Sequence, residues 1–298
     1  MALAAAVFLA APAWSQTPPV TPSVIEQQLR PELPTPSVTL PPEEAILTGR
    51  EDLVLLQKRD IFYLNARAGF EYTTNAFFSN DAQDDDLHLD LRVAGGAQTK
   101  VAQTVDVFAD FSAATSRYDQ NGSLNYDVFA ANVGLQAPFP GFSASLAYGP
   151  TFAFAPGFDQ RLVTQHNIVV SLFEPFSVSE DMAVVPRLTG VYSIADPQEF
   201  TNLSLAFGAT GIYRILPELD AVLGPRVYVR DYPDFFESLT GTERRDVGGS
   251  VSGGLQWKPL RGVQVSATLG AAATRSTRQA NDYDAFTVGP QLQGTLRF

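Results

Sequence analysis

The sequence predicts an all-β fold: a transmembrane antiparallel up-and-down β-barrel of about twelve strands, with a disordered Pro-rich arm in front of it. Three observations predict it. First, the final stretch, Tyr283 to Phe298, alternates strictly. Phe286, Val288, Pro290, Leu292, Leu296 and Phe298 share one face, and Thr287, Gln291, Gln293, Thr295 and Arg297 the other. Strand side chains alternate with period two, so one face is apolar and the other wet. Second, segments of this kind recur from Asp60 onward, each about 11–17 residues long. Soluble strands usually run about 3–10 residues, whereas a tilted strand crossing a bilayer needs about 9–11. Third, short turns alternate with long polar loops, as in bacterial barrels.

Composition fits. The chain has 298 residues and a net charge of −12, which argues against bulk attraction to nucleic acid. No apolar run of about 18 residues follows the N-terminus, so no transmembrane helix is expected. The mean hydropathy of −0.01 leaves a barrel open, because alternation averages its hydrophobicity away. Cysteine is absent, which excludes disulfides, thiolate metal sites and cysteine nucleophiles.

Residues 1–15 read as a signal peptide: an apolar core ending in Ala13-Trp14-Ser15, without Lys or Arg before the core. Residues 16–58 read as a periplasmic arm. Pro18, Pro19, Pro22, Pro31, Pro34, Pro36, Pro41 and Pro42 keep its first part extended, and Glu43 to Lys58 carries a short helical pattern. Residues 59–298 are the barrel. Candidate strands lie near 60–76, 87–101, 104–117, 125–137, 142–155, 164–175, 182–194, 201–215, 219–231, 246–258, 262–275 and 284–298.

Short connections include Pro138 to Gly141, Leu216 to Glu218 and Pro259 to Gly262. Longer ones include Ser79 to Asp86, Ser116 to Leu124, Gly157 to Leu162, Ile194 to Glu199, Asp231 to Arg245 and Ser276 to Asp282. The connection from Glu174 to Asp181 is long for the short-turn side. The last strand must pair with the first, so that no edge faces lipid.

Aromatics cluster near strand ends, as interfacial girdles do. Phe62, Phe139, Phe142, Phe173, Phe176, Tyr213, Trp257 and Phe298 fall at the short-turn end. At the loop end are Tyr72, Phe77, Phe78, Tyr118, Tyr126, Phe152, Phe154, Tyr192, Phe200, Tyr232 and Tyr283.

The second face carries the charges. Alternation assigns Arg67, Arg92, Asp106, Asp110, Arg187, Arg214, Arg226 and Lys258 to the pore lining. Glu71, His88, Asp90, Asp220, Arg230, Asp246 and Arg297 share that face. Ionisable groups at membrane depth must face water or one another. Two arrangements follow: a salt-bridged network filling the lumen, or an arginine row facing an acidic row across a channel. Acidic loop residues such as Asp81, Asp84, Asp85, Asp86, Asp231, Asp234 and Glu237 are solvated or bridge divalent cations to lipopolysaccharide.

No catalytic residue, metal site or cofactor is expected. Only His88 and His166 could act as a histidine base. His166 falls on the lipid side, where a lipid-modifying site is the sharper reading and a girdle residue the plainer one. His88, flanked by Asp86 and Asp90, is a weak metal motif.

The run Gly69-Phe70-Glu71-Tyr72-Thr73-Thr74-Asn75-Ala76-Phe77 resembles the opening of outer-membrane β-barrel porins of the porin 2 type, as does the Pro-rich arm before it. A C-terminal Phe298 resembles the signal read by the barrel assembly machinery. The resemblance implies a Gram-negative outer membrane with the N-terminus periplasmic. It also implies outer-membrane lipids, lipopolysaccharide and the assembly machinery as partners, with an exopolysaccharide-export or periplasmic protein as a further candidate.

Together these readings point to a narrow passive channel or export accessory for polar solutes. A closed structural barrel that binds a partner, or a lipid-modifying enzyme, are the alternatives.

Overall fold

The computed structural model describes residues 62–76, 84–102, 104–237 and 242–297. The expected signal peptide and arm, together with Phe77, Phe78, Asp81 and Phe298, lie outside the described residues. The strands are β1 (Phe62–Thr73), β2 (Asp86–Lys100), β3 (Asp106–Tyr118), β4 (Tyr126–Phe139), β5 (Phe142–Phe154), β6 (Arg161–Phe173) and β7 (Phe176–Ser177). Then follow β8 (Met182–Asp196), β9 (Asn202–Leu216), β10 (Leu219–Glu237), β11 (Thr242–Leu260), β12 (Val263–Ser276) and β13 (Tyr283–Arg297).

Every long strand pairs antiparallel with its neighbours in the chain. β6 skips the two-residue β7 and pairs with β8, and β1 pairs with β13. The result is a closed cylinder of twelve staves. Closure is the physical requirement: an open edge would leave unpaired N–H and C=O groups. At the seam Asn65 stands opposite Thr295, and its Nδ2 donates to Thr295 Oγ1 at 2.8 Å.

The faces are inverted relative to a soluble barrel. On β9, Leu205 and Phe207 are each 54% exposed, while Ala206 between them is 5% exposed. The same alternation runs through Leu223 and Val227 on β10, and Leu292 and Leu296 on β13, all exposed. The bulky apolar face therefore points out and the small polar face points in.

Three differences from the sequence reading have physical causes. The connection from Glu174 to Asp181 is long because it folds into a small hairpin, in which β7 pairs Phe176 with Val184 and Ser177 with Ala183. The segment from Asp231 to Arg245 is not all loop. β10 and β11 run on to Glu237 and Thr242, held across the pair by Arg245–Asp231 and by the Arg244 guanidinium over the Tyr232 ring, 4.0 Å from its centroid.

The third difference concerns the girdles. Phe62, Phe139, Phe142, Phe176, Tyr213 and Trp257 do face outward at the short-turn end, as Tyr72 and Tyr192 do at the other. Phe173, Tyr118, Tyr126, Phe200, Tyr232 and Tyr283 are buried inside instead. Parity explains most of this: Tyr118 lies an even number of residues from inward Ser112, and Tyr232 from inward Arg230.

Two short turns show why glycine stands where it does. Gly141 (φ 84°) and Gly262 (φ 79°) occupy the left-handed region, which a Cβ disfavours.

A candidate site in the lumen

An eight-stave barrel is just filled by its own side chains, and twelve staves leave room. The room here is a cavity of about 880 Å³. Arg67, Glu71, Asp90, Arg92, Arg187 and Arg226 are among its lining residues.

On the β1–β3 wall the charges interlock. Arg67 Nε lies 3.8 Å from Asp90 Oδ1. Arg92 Nη2 donates to Ser112 Oγ at 3.2 Å. Behind them Asn132 Nδ2 donates to Asp110 Oδ1 at 2.8 Å. The opposite wall, β8 to β10, is built differently. Arg187 lies over the Phe173 ring, 5.3 Å from its centroid. Around it stand small residues, Thr189, Ala206, Gly208 and Gly224, which also line the cavity.

Asp106, Arg214, Asp220 and Lys258 lie toward the short-turn end, outside the lining of the cavity. Lys258 Nζ donates to Asp220 Oδ2 at 2.5 Å. Asp106 stands opposite Lys100 in register, and Arg214 opposite Asp220. The structure thus brings Arg67, Arg92, Arg187 and Arg226 to one cavity, and leaves Asp106, Asp110, Arg214 and Lys258 outside its lining.

An apolar layer crosses the lumen at the loop end. Ala153, Leu162, Val163, Ala195, Phe200, Tyr283 and Ala285 form one buried cluster. Val163 on β6 and Ala285 on β13 sit six staves apart, so this packing crosses the lumen. Phe200, only 2% exposed, is supplied by the turn Gln198–Phe200 between β8 and β9. A second cluster joins Ala76, Tyr118, Leu124 and Tyr126, and Val128 packs against both. Beside this layer Arg230 Nη1 donates to the Tyr232 hydroxyl at 3.0 Å, and the Arg244 guanidinium stacks 4.0 Å from the Tyr232 ring centroid. The sequence reading missed this layer. Face parity at Tyr118, Tyr126 and Tyr232 was the available signal; the inward turn of Phe200 had none.

Outside, four Arg–Asp pairs encircle the loop end: Arg117–Asp127 at 2.6 Å, Arg161–Asp196 at 3.7 Å, Arg275–Asp284 at 3.1 Å, and Arg245–Asp231. Asp127, Asp196, Asp231 and Asp284 each stand two residues beyond an outward apolar residue, namely Phe129, Ile194, Val229 and Phe286. The pairs therefore mark where the oily face ends.

The histidines separate. His166 points outward from β6, and its Nδ1 shares a hydrogen bond of 2.8 Å with the Tyr148 hydroxyl. In register His166 stands between Pro150 and Ile194. His88 faces inward and stacks on Tyr118 at 5.0 Å. Among the described residues, no three His, Asp or Glu side chains gather closely enough to hold a metal ion.

No protein-family model matches this chain. No curated protein matches it either. Solved structures do resemble it. The COG4313 outer membrane channel from Pseudomonas putida F1 has a TM-score of 0.54 at 10% identity, with 80% of this chain and 96% of that chain covered. The KdgM porin, solved with disordered oligogalacturonate, has a TM-score of 0.42 at 10% identity over 76% of this chain and 97% of its own. The beta domain of the Bordetella autotransporter BrkA has a TM-score of 0.43 at 15% identity over 78% and 99%. At these identities the likeness is one of fold, and the first of the three carries it.

Proposed function

We propose that this chain is a non-enzymatic barrel of the Gram-negative outer membrane, with its N-terminus in the periplasm. It would act as a narrow passive channel, or as the outer-membrane accessory of an exporter, for polar solutes. One observation carries the reading. Around a closed cylinder the apolar face is exposed, and the inner face lines a polar cavity of about 880 Å³. An exposed oily band suits acyl chains, and a charged lumen suits water and polar solutes.

The Arg–Asp pairs beyond that band suit the headgroups of outer-membrane lipids and lipopolysaccharide. Single-channel recording in a planar bilayer tests the reading. Discrete conductance steps are expected, and silence at every voltage rejects the channel.

The apolar layer at the loop end favours a second reading: a barrel closed to flow, which binds a periplasmic or surface partner. Deleting residues 16–58 separates the two. A channel keeps conducting without the arm, whereas a docking barrel loses its partner in pull-down. For the enzymatic alternative, His166→Ala should leave lipid A and phospholipid profiles unchanged. An altered profile would reinstate it.

A further inference from the structure

We infer that the lumen contains a binding site for the carboxylate or phosphate group of an anionic solute, formed by Arg187 and Arg226 on either side of Gly208. The inference rests on the cavity, and deepens the channel reading by naming its solute class.

Register places the three residues. Arg187 on β8 stands directly opposite Gly208 on β9, and Gly208 stands directly opposite Arg226 on β10. Neighbouring strands are about 4.8 Å apart, so the two arginine backbones are about 10 Å apart with a glycine between them. No side chain rises from Gly208 to fill the gap, and all three residues line the cavity. The Arg187 guanidinium rests over Phe173 on β6, the side away from Gly208; a change of rotamer into the space above Gly208 would bring it beside Arg226 on one anion. Planar guanidinium groups bind carboxylate and phosphate oxygens through paired N–H donors.

The wider field agrees. The chain as a whole carries −12, yet the cavity is lined by Arg67, Arg92, Arg187, Arg226 and Arg230 against Glu71 and Asp90. The negative surplus lies elsewhere on the molecule. A low-dielectric wall concentrates the field of the enclosed cations on the solute path. The carboxylates also stand on β1 and β2, across the ring from Arg187 on β8 and Arg226 on β10. An anion at Gly208 therefore meets arginines on its own wall and keeps the lumen's width from the carboxylates.

The test uses the full mature chain refolded in detergent, with Arg187→Gln, Arg226→Gln, the double variant and Gly208→Val. A heat-sensitive shift in gel mobility checks that each has folded. In a potassium chloride gradient, the wild-type reversal potential should report chloride preference, which the double variant loses. Tripolyphosphate should block the current, and each single variant should weaken the block roughly tenfold, the size of one charge-assisted hydrogen bond. Gly208→Val should weaken it without altering charge.

Potassium preference in the wild type, or a block indifferent to both arginines, overturns the site while leaving the channel standing. If the barrel does not conduct, thermal unfolding with and without tripolyphosphate decides. A rise in midpoint for the wild type that the double variant lacks supports the site, even as the channel reading falls. No rise overturns it.

Discussion

Gly248 shows how single residues set the inner surface. Tyr228 on β10 stands opposite Gly248 on β11. Its ring lies across that glycine, so that its hydroxyl meets Thr274 Oγ1 on β12 at 2.5 Å. A Cβ on Gly248 would come 2.6 Å from the Tyr228 hydroxyl and 2.8 Å from Thr274 Oγ1. Tyr63 over Gly96 and Phe108 over Gly134 repeat the device between directly paired residues. Each ring covers the backbone that its glycine leaves bare, which is a recognised support for glycine in sheets. Gly248→Ala should therefore cost about 1–3 kcal/mol, the usual cost of overpacking. Gly190→Ala, with nothing within 4 Å of the new Cβ, should change little. Urea unfolding of both variants in lipid vesicles measures the contrast, and equal midpoints would reject this account.

At the scale of elements, the turn Gln198–Phe200 decides how far the loop end is closed. It brings Phe200 against Val163 and Tyr283, which belong to opposite sides of the ring. Removing that ring opens space in the apolar layer. Phe200→Ala is expected to raise single-channel conductance severalfold, while Phe62→Ala, on the outward face, leaves it unchanged. A conductance unaffected by Phe200→Ala would mean that flow does not pass that point. The seam between β1 and β13 is a second element-level matter. The chain has no cysteine, so Asn65→Cys with Thr295→Cys introduces one directly opposed pair. Oxidation should link the two in folded material and slow its unfolding. Two thiols that stay free in folded barrel would place the seam elsewhere.

For the whole molecule, the band between the short turns and the four Arg–Asp pairs defines how the cylinder sits. Charges on the lipid face cost least near the interfaces and most at the midplane. Leu205→Arg, on the exposed face of β9, should cost about 2–4 kcal/mol if it falls near the midplane. Asp196→Arg, at the pair level, should cost far less. Both are read as folding free energies in vesicles. An equal cost at the two positions would mean that the band is not buried in lipid.

The sequence by itself determined the number of long strands, most of their boundaries to within a few residues, and which face most central residues take. Those properties are local: a two-residue period and a turn can be read without knowing what stands opposite. Arg187, Gly208 and Arg226 could each be placed on the inner face this way, but not side by side, because register across strands is not written in any one strand alone. The long connection at β7 and the extended hairpin of β10 and β11 were misjudged for a similar reason, since short pairings and a buried Arg244 stabilise them from outside the local pattern. Parity could have turned Tyr118, Tyr126 and Tyr232 inward, but only the tertiary structure decided that Phe200 and Tyr283 pack across the loop end of the lumen. That depends on which side chains meet across the cylinder, and residues such as Val163 and Ala285 become neighbours only when the twelve staves close.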